Sequence, residues 1–212
     1  MNYSLILLAA GRGSRTKLDY NKVFYKLSDG QTVLEKSLSL FIEDQDCRQI
    51  VLVCADGEQE LMAPYCKDSK IEITTGGATR QDSVYNGLKK VNNEYVFIHD
   101  GARPYLEQSQ INDLKETLKT ERACLLMVPS VDTVKVVENG YVKCTLDRST
   151  LFNAQTPQCF ETELIRDCHQ QAQKKQYIGT DDASLVEVFS EVPIKLVESS
   201  SANKKITNPS DL

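Results

Sequence analysis

Short apolar runs punctuate this chain: "SLILLAA", "QIVLVCA", "IEITTG", "EYVFIHDG", "ACLLMVPSV" and "IKLVES". Between several of them lie stretches with helical spacing, over Val33 to Phe41, Gln81 to Val91 and Gln110 to Thr120. Strand-length runs alternating with helical segments predict βαβ units, hence an α/β sandwich around a mostly parallel sheet. With 212 residues, 41% of them hydrophobic, the chain can bury one sizeable core, so a single domain spanning 1–212 is expected.

One segment breaks this rhythm. From Val131 to Phe152, "VDTVKVVENGYVKCTLDRSTLF" places Asn139-Gly140 between two β-rich runs, a strong short-range signal for a hairpin. This ribbon, about 131–152, is expected to project as an arm. It reads either as an ordinary edge hairpin or as a reach toward a second subunit, because an isolated two-stranded ribbon is marginally stable and gains from being packed.

Charge excludes some partners. The net charge is −5, with a pI near 5.2, which argues against general affinity for nucleic acid or anionic membrane, since both draw on clustered Lys and Arg. The N-terminal "YSLILLAA" is too short to span a bilayer and lacks the basic flank and cleavage site of a signal peptide. Seven scattered cysteines without a C-x-x-C pair suggest neither a disulfide framework nor a zinc cluster, and fit reduced thiols in a cytoplasm.

Any anion site must therefore be local, and "LLAAGRGSRTK" (7–17) is the first candidate. Gly11 and Gly13 let backbone approach a ligand closely, small Ala9 and Ala10 leave room for something flat, and turn N–H groups can point at phosphate oxygens. The spacing G-x-G-x-R lacks both the third glycine of a dinucleotide fingerprint and the Gly-Lys-Ser/Thr of a phosphate-binding P-loop. A tight strand-to-helix turn is the plain alternative, but Arg15 and Lys22 suit a polyphosphate better.

Further candidates lie downstream. "FIHDGARP" sets Asp100 at the carboxyl end of a strand-like run, where it either holds Mg²⁺ beside phosphates or caps the next turn and pairs with Arg103. His99 reads as a structural residue. With two histidines in the chain, a His-centred nucleophile is disfavoured. "TTGGATRQDSVYNGL" offers Gly76 and Gly77 to a base edge, with Arg80 and Ser83 at a helix start, capping being the competing use for Asp82 and Ser83. "LDRSTLFNAQTPQCF", "GTDDASL" and "SANKKITNPSDL" combine Arg148 and Lys205 with the hydroxyls of Thr156 and Thr180 in loop-like settings.

Taken together and in this order, these segments resemble the 2-C-methyl-D-erythritol 4-phosphate cytidylyltransferase family, from Ser4 to Leu212. "LAAGRGSR" is similar to its CTP loop, "TTGGATRQDSV" to its base-reading loop, "HDGARP" to its metal-side motif, "VDTVK" and "DRSTLFNAQTPQ" to its arm and substrate motifs, and "TDDASL" with "NKKIT" to its closing segments. The resemblance implies a Rossmann-like nucleotidyltransferase fold. Ala9, Ala10, Gly11 and Gly13 would line the CTP site, Arg15 and Lys22 would stabilise the triphosphate, and Gly77, Ala78 and Ser83 would hold the cytosine. Asp100 would carry Mg²⁺, and Arg103, Thr156 and Lys205 would face the polyol phosphate. Thr133 and Arg148 would reach that substrate from the arm of a partner in a homodimer, and Lys205 would also join Arg15 and Lys22 in catalysis. Four positions depart from the family's usual pattern: Asn21 and Val23 flank Lys22 where the family has Pro-Lys-Gln, Ala78 stands where an acid is common, and Thr16 stands for methionine. The sister activity on ribitol 5-phosphate, a NAD(P)-dependent oxidoreductase and a nucleotide-binding protein without turnover are the alternatives.

Overall fold

A computed structural model describes residues 1–11 and 18–211. The elements run β1 (Tyr3–Leu8), α1 (Val33–Glu43), β2 (Cys47–Cys54), α2 (Gln59–Met62), β3 (Ile71–Thr75), α3 (Arg80–Leu88), β4 (Tyr95–Asp100), α4 (Gln108–Thr117) and β5 (Ala123–Pro129). They continue with β6 (Lys135–Glu138), β7 (Tyr141–Thr145), β8 (Phe152–Glu161), α5 (Thr162–Lys174), α6 (Asp182–Phe189) and β9 (Lys195–Glu198). Among the described residues no helix is long and apolar enough to cross a membrane.

Seven strands form one sheet in the order β3-β2-β1-β4-β8-β5-β9. All neighbours are parallel except where β8 meets β4 and β5. The expected mostly parallel α/β sheet is therefore present. Both faces are covered, which is why its strands read as near-continuous apolar runs. Leu5, Leu7 and Phe97 pack with Leu34, Leu38, Phe41 and Ile111 on one face, while Ile6, Val53 and Ile98 pack with Val84, Leu88, Ile165 and Leu185 on the other.

Strand order reverses between β1 and β4: β2 and β3 extend to one side of β1, and β4 lies on the other. Ligands of open α/β sheets bind outside the carboxyl ends of the strands at such a reversal. Here those ends are Leu8 and Asp100, which are register partners.

Local chemistry explains most helix starts. Thr32 and Glu35 exchange hydrogen bonds across the first turn of α1, as do Thr79 and Asp82 at α3 and Asp181 and Ser184 at α6. The third helix expected from periodicity begins two residues early, at Gln108, because the Glu107 N–H donates to Gln110 Oε1 at 3.0 Å.

β8 corrects the sequence reading, which took "FNAQTPQCF" as loop-like. It is a central strand, and its ladder to β5 jumps from Gln158 opposite Leu125 to Ala154 opposite Met127. Pro157 falls inside that irregularity, where its missing N–H leaves no ladder bond unmade. The same irregularity aims Thr156 at the end of β4, where its hydroxyl accepts the Asp100 N–H at 3.1 Å.

The arm is present as the pair β6-β7, a sheet of its own. Asn139 (φ 51°) and Gly140 (φ 84°) both adopt the left-handed conformation that a tight two-residue hairpin turn requires. Its apolar residues are exposed, Val131 at 78% and Tyr141 at 80%.

Candidate active site

A cleft of about 630 Å³ opens at the strand reversal. Of the residues singled out by sequence, it brings together Ala10, Gly11, Lys22, Gly77, Ala78, Ser83, Asp100 and Lys205. Ala9 is fully buried just behind them, its N–H on Val53 O at 2.7 Å. Gly13, Arg15 and Thr16 lie outside the described residues.

The glycine-rich wall is braced rather than loose. Among the described residues, a Cβ on Gly11 would meet nothing within 4 Å. At Gly77, by contrast, a Cβ would run into Asp82. The Gly77 N–H donates to Ser83 Oγ at 3.0 Å, and that hydroxyl donates onward to Thr79 O at 2.9 Å. The Ser83 hydroxyl thus holds the 77–79 loop, and the backbone of Gly77 and Ala78 is what lines the cleft.

Lys22 stands on a short 3-10 turn, Lys22–Phe24. Where proline stiffness would be expected, Asn21 supplies hydrogen bonds. Its Nδ2 donates to Ala9 O at 2.6 Å and to Glu58 Oε2 at 2.9 Å, and its Oδ1 accepts the Val23 N–H at 3.3 Å. The turn is thereby tied to the strand end that carries the glycine loop. Lys22 Nζ reaches Ile206 O at 2.6 Å, while the Ile206 N–H donates to Ala102 O at 2.9 Å. The segment around Lys205 therefore closes the cleft from the opposite end of the chain.

Asp100 forms the floor. Lys205 Nζ donates to its Oδ2 at 2.7 Å, Arg80 Nε approaches Oδ1 at 3.4 Å, and Arg103 Nε stands 3.9 Å from Oδ2. Burial pushes the Asp100 carboxyl up, but Arg80, Lys205 and Arg103 outweigh it and hold the group well below the usual carboxylate range. Arg103 Nη1 is engaged by Asn203 O at 2.7 Å, and burial, partly offset by Asp100, lowers its pKa. Behind the floor, His99 is fully buried, its Nδ1 2.9 Å from Thr156 Oγ1 and its Nε2 3.3 Å from Arg103 O. Burial drives its pKa down to about 4, so it is a neutral, structural imidazole, as expected. Thr156 likewise spends its hydroxyl on His99 and on the Asp100 backbone.

Asp100 is the one acid among the residues lining this cleft, and no cluster of three or more metal-ligating side chains occurs among the described residues. A single ionised carboxylate at the floor of a cleft can serve Mg²⁺, which commonly takes one or two carboxylates and completes its shell with a ligand's oxygens and water. The donor set thus fits a magnesium ion that arrives with a nucleotide.

Thr133 and Arg148 are not brought to this cleft. Both are exposed on the arm, and Arg148 Nη1 donates to Val131 O at 3.2 Å. One residue beyond the predicted set belongs at the floor, with a buried partner behind it. Arg80, noted in sequence only at a helix start, lines the cleft, and its Nη1 bonds Asp182 Oδ2 at 2.7 Å. Asp182 in turn meets His169 Nε2 at 3.2 Å. The motif "TDDASL" contains Asp182, but nothing local marks it as Arg80's partner.

Comparison with known proteins agrees with this geometry. The family model described as 2-C-methyl-D-erythritol 4-phosphate cytidylyltransferase matches residues 3–212. Relatives of that name from Bacillus velezensis and Clostridioides difficile are each 42% identical, over 100% and 99% of this chain and 93% and 90% of theirs. A crystal structure of 4-diphosphocytidyl-2C-methyl-D-erythritol synthase from Anaerococcus prevotii superposes with TM-score 0.89 at 30% identity, covering 99% of this chain and 92% of that one. A Francisella tularensis 2-C-methyl-D-erythritol 4-phosphate cytidylyltransferase gives 0.84 at 34% identity, covering 100% and 96%.

Proposed function

The chain belongs to the 2-C-methyl-D-erythritol 4-phosphate cytidylyltransferase family of nucleotidyltransferase enzymes, and from that premise we propose that it joins CTP to 2-C-methyl-D-erythritol 4-phosphate, giving 4-CDP-2-C-methyl-D-erythritol and diphosphate. The observation that carries this reading is the convergence of Gly11, Lys22, Gly77, Asp100 and Lys205 on one cleft at the strand reversal.

In this reading a phosphate oxygen of the sugar alcohol attacks the α-phosphorus of CTP in line. The new P–O bond forms as the bond to the β-phosphate oxygen breaks, and diphosphate leaves with its electron pair. A phosphate dianion is already a competent nucleophile, so no general base is required, in keeping with a neutral His99. Catalysis rests on positioning and on charge placed where it develops. Ala9, Ala10, Gly11 and Gly13 would receive the nucleotide, with the backbone of Gly77 and Ala78 reading the base and Ser83 holding that loop. Lys22 and Arg15 would face the triphosphate. Lys205, Arg103 and Thr156 would form the sugar-phosphate side, Thr156 acting through the Asp100 backbone it holds. Asp100 would hold Mg²⁺, which when bound neutralises phosphate charge.

The exposed apolar arm supports a homodimer in which Thr133 and Arg148 complete the partner's site. We also place the enzyme in the cytoplasm, where its free cysteines stay reduced.

The decisive experiment measures diphosphate release from CTP and Mg²⁺ with each polyol phosphate in turn. Release with 2-C-methyl-D-erythritol 4-phosphate is expected. Release with ribitol 5-phosphate alone would overturn the substrate assignment, and release with neither would overturn the reaction.

A further inference from the structure

Asp100 stands at the end of a line of buried charges that the transfer reaction leaves unexplained. Arg80 opens α3, and its guanidinium spans two carboxylates: Nη1 on Asp182 Oδ2 at 2.7 Å and Nε toward Asp100 Oδ1 at 3.4 Å. Asp182, at the start of α6, is 1% exposed and is itself pinned, its Oδ1 on His169 Nε2 at 3.2 Å and its backbone N–H on Gln158 Oε1 at 3.1 Å. His169, on α5, is wholly buried, with the Tyr85 ring stacked 6.3 Å away. Its Nδ1 has no hydrogen-bond partner among the described residues, so the bond to Asp182 alone orients the ring.

The two oxygens of Asp100 are not equivalent. Lys205 and Arg103 both address Oδ2, whereas among the described residues Arg80 is the cation on Oδ1. The Thr156 hydroxyl fixes the Asp100 backbone but does not touch the carboxylate. Without Arg80, rotation of the carboxylate about its last bond would be opposed from one side only. Lysine is only a partial substitute for Arg80: one ammonium can reach two carboxylates, as Lys115 does with Asp44 and Asp46, but it lacks the planar fork that presents a separate N–H to each. A pair serving stability alone would have no cause to line the cleft, yet both Arg80 and Asp100 do.

We infer that Arg80, clamped from behind by the Asp182–His169 pair, is a positioning residue that sets the orientation of the Asp100 carboxylate at the cleft floor. This rests on the reading of Asp100 as the group that meets the metal and phosphates. The groups facing that carboxylate are Arg80 from α3, Lys205 from the C-terminal loop and Arg103 from the turn after β4, with neutral His99 beside it on β4.

The test compares Arg80→Gln, Arg80→Lys and Asp182→Asn with wild type, each checked for folding by circular dichroism. Arg80→Gln should lower kcat about 10–100-fold, the range typical of residues that orient a ligand-bearing group, with KM for CTP unchanged. Arg80→Lys should recover part of that loss, and Asp182→Asn should lose about tenfold. Independently of turnover, a crystal structure of Arg80→Gln should show the Asp100 carboxylate turned from its present orientation, because Oδ1 has lost its cation while Lys205 and Arg103 still hold Oδ2. Wild-type kcat in a folded Arg80→Gln protein, or an Asp100 carboxylate left unturned in its crystal structure, overturns the inference. Should Arg80→Gln not fold, wild-type kcat in folded Asp182→Asn overturns it. Should wild type itself release no diphosphate from CTP, the reaction assignment fails and the orientation of the Asp100 carboxylate in the Arg80→Gln crystal structure alone decides this inference, a turned carboxylate supporting it and an unturned one overturning it.

Discussion

At Asp100 each carboxylate oxygen has its own cation and the neighbouring backbone N–H has its own hydroxyl, all supplied by one chain. Tyr141, on the arm, is four-fifths exposed, and Val131, Val137 and Val142 of the same arm are each more than half exposed. The cleft floor is thus over-determined within a single subunit, while the arm carries apolar surface that its own chain never covers. Regions of the first kind are suited to holding reacting groups in place, and exposed apolar regions of the second kind commonly mark association surfaces.

The sharpest break of this contrast comes from the cleft. Lys22→Ala should lower kcat about 10²–10³-fold, the loss typical of one donor aimed at developing charge. Steady-state kinetics with wild-type kcat would remove Lys22 from the reaction. Next in size is an effect on stability alone. The His99 ring, ordinarily near 6.5, sits at about 4 in the fold because it is buried. The unfolded chain therefore takes up the proton first, so stability is intact above pH 6.5 and declines as pH falls toward 4, by about 3 kcal/mol in all. Denaturant melts across that window should show the slope in wild type and lose it in His99→Gln. Equal slopes would refute a neutral buried ring. The lowered carboxyls of Asp100 and Asp182 act in a separate window, since their stabilisation is complete above the ordinary carboxylate value and is lost only below it.

A smaller signal sharpens the arm. Mixing equal amounts of Arg148→Ala and Lys22→Ala subunits should restore about a quarter of wild-type activity if each site borrows its partner's arm, because half the dimers are mixed and half their sites are intact. No recovery would place Arg148 outside the shared site. Least affected should be the fold itself when the arm is altered. Tyr141→Ser should change monomer stability by no more than about 0.5 kcal/mol, as for other exposed positions, while sedimentation shows weakened association. A large loss of monomer stability would mean that the arm packs on its own chain.

Much of this architecture was legible along the chain. The apolar runs became strands β1 to β5 and β9, Asn139-Gly140 became the hairpin turn, and the helix start expected at Arg80 is there, capped by Asp82 together with Thr79, because each depends on residues a few positions apart. β8 was not legible: Pro157 and flanking polar residues read as loop, and only the irregular ladder with β5 lets a proline sit in a central strand. In the cleft, Lys22, Asp100 and Lys205 stood out as two cations and an acid within loop and strand-end motifs. Arg80 did not, because its partner Asp182 lies 102 residues away.

What the residues determine by themselves is local: the period of apolar positions, the turns that left-handed residues permit, and the kinds of side chain each loop carries. Which of those side chains meet is decided by the order of strands in the sheet. A β1–β4 reversal brings Leu8 beside Asp100, and the returning C-terminal segment sets Lys205 on the same carboxylate. Pairing across such distances follows from burial of both sheet faces at once, a property of the whole packed chain that no short stretch of it contains.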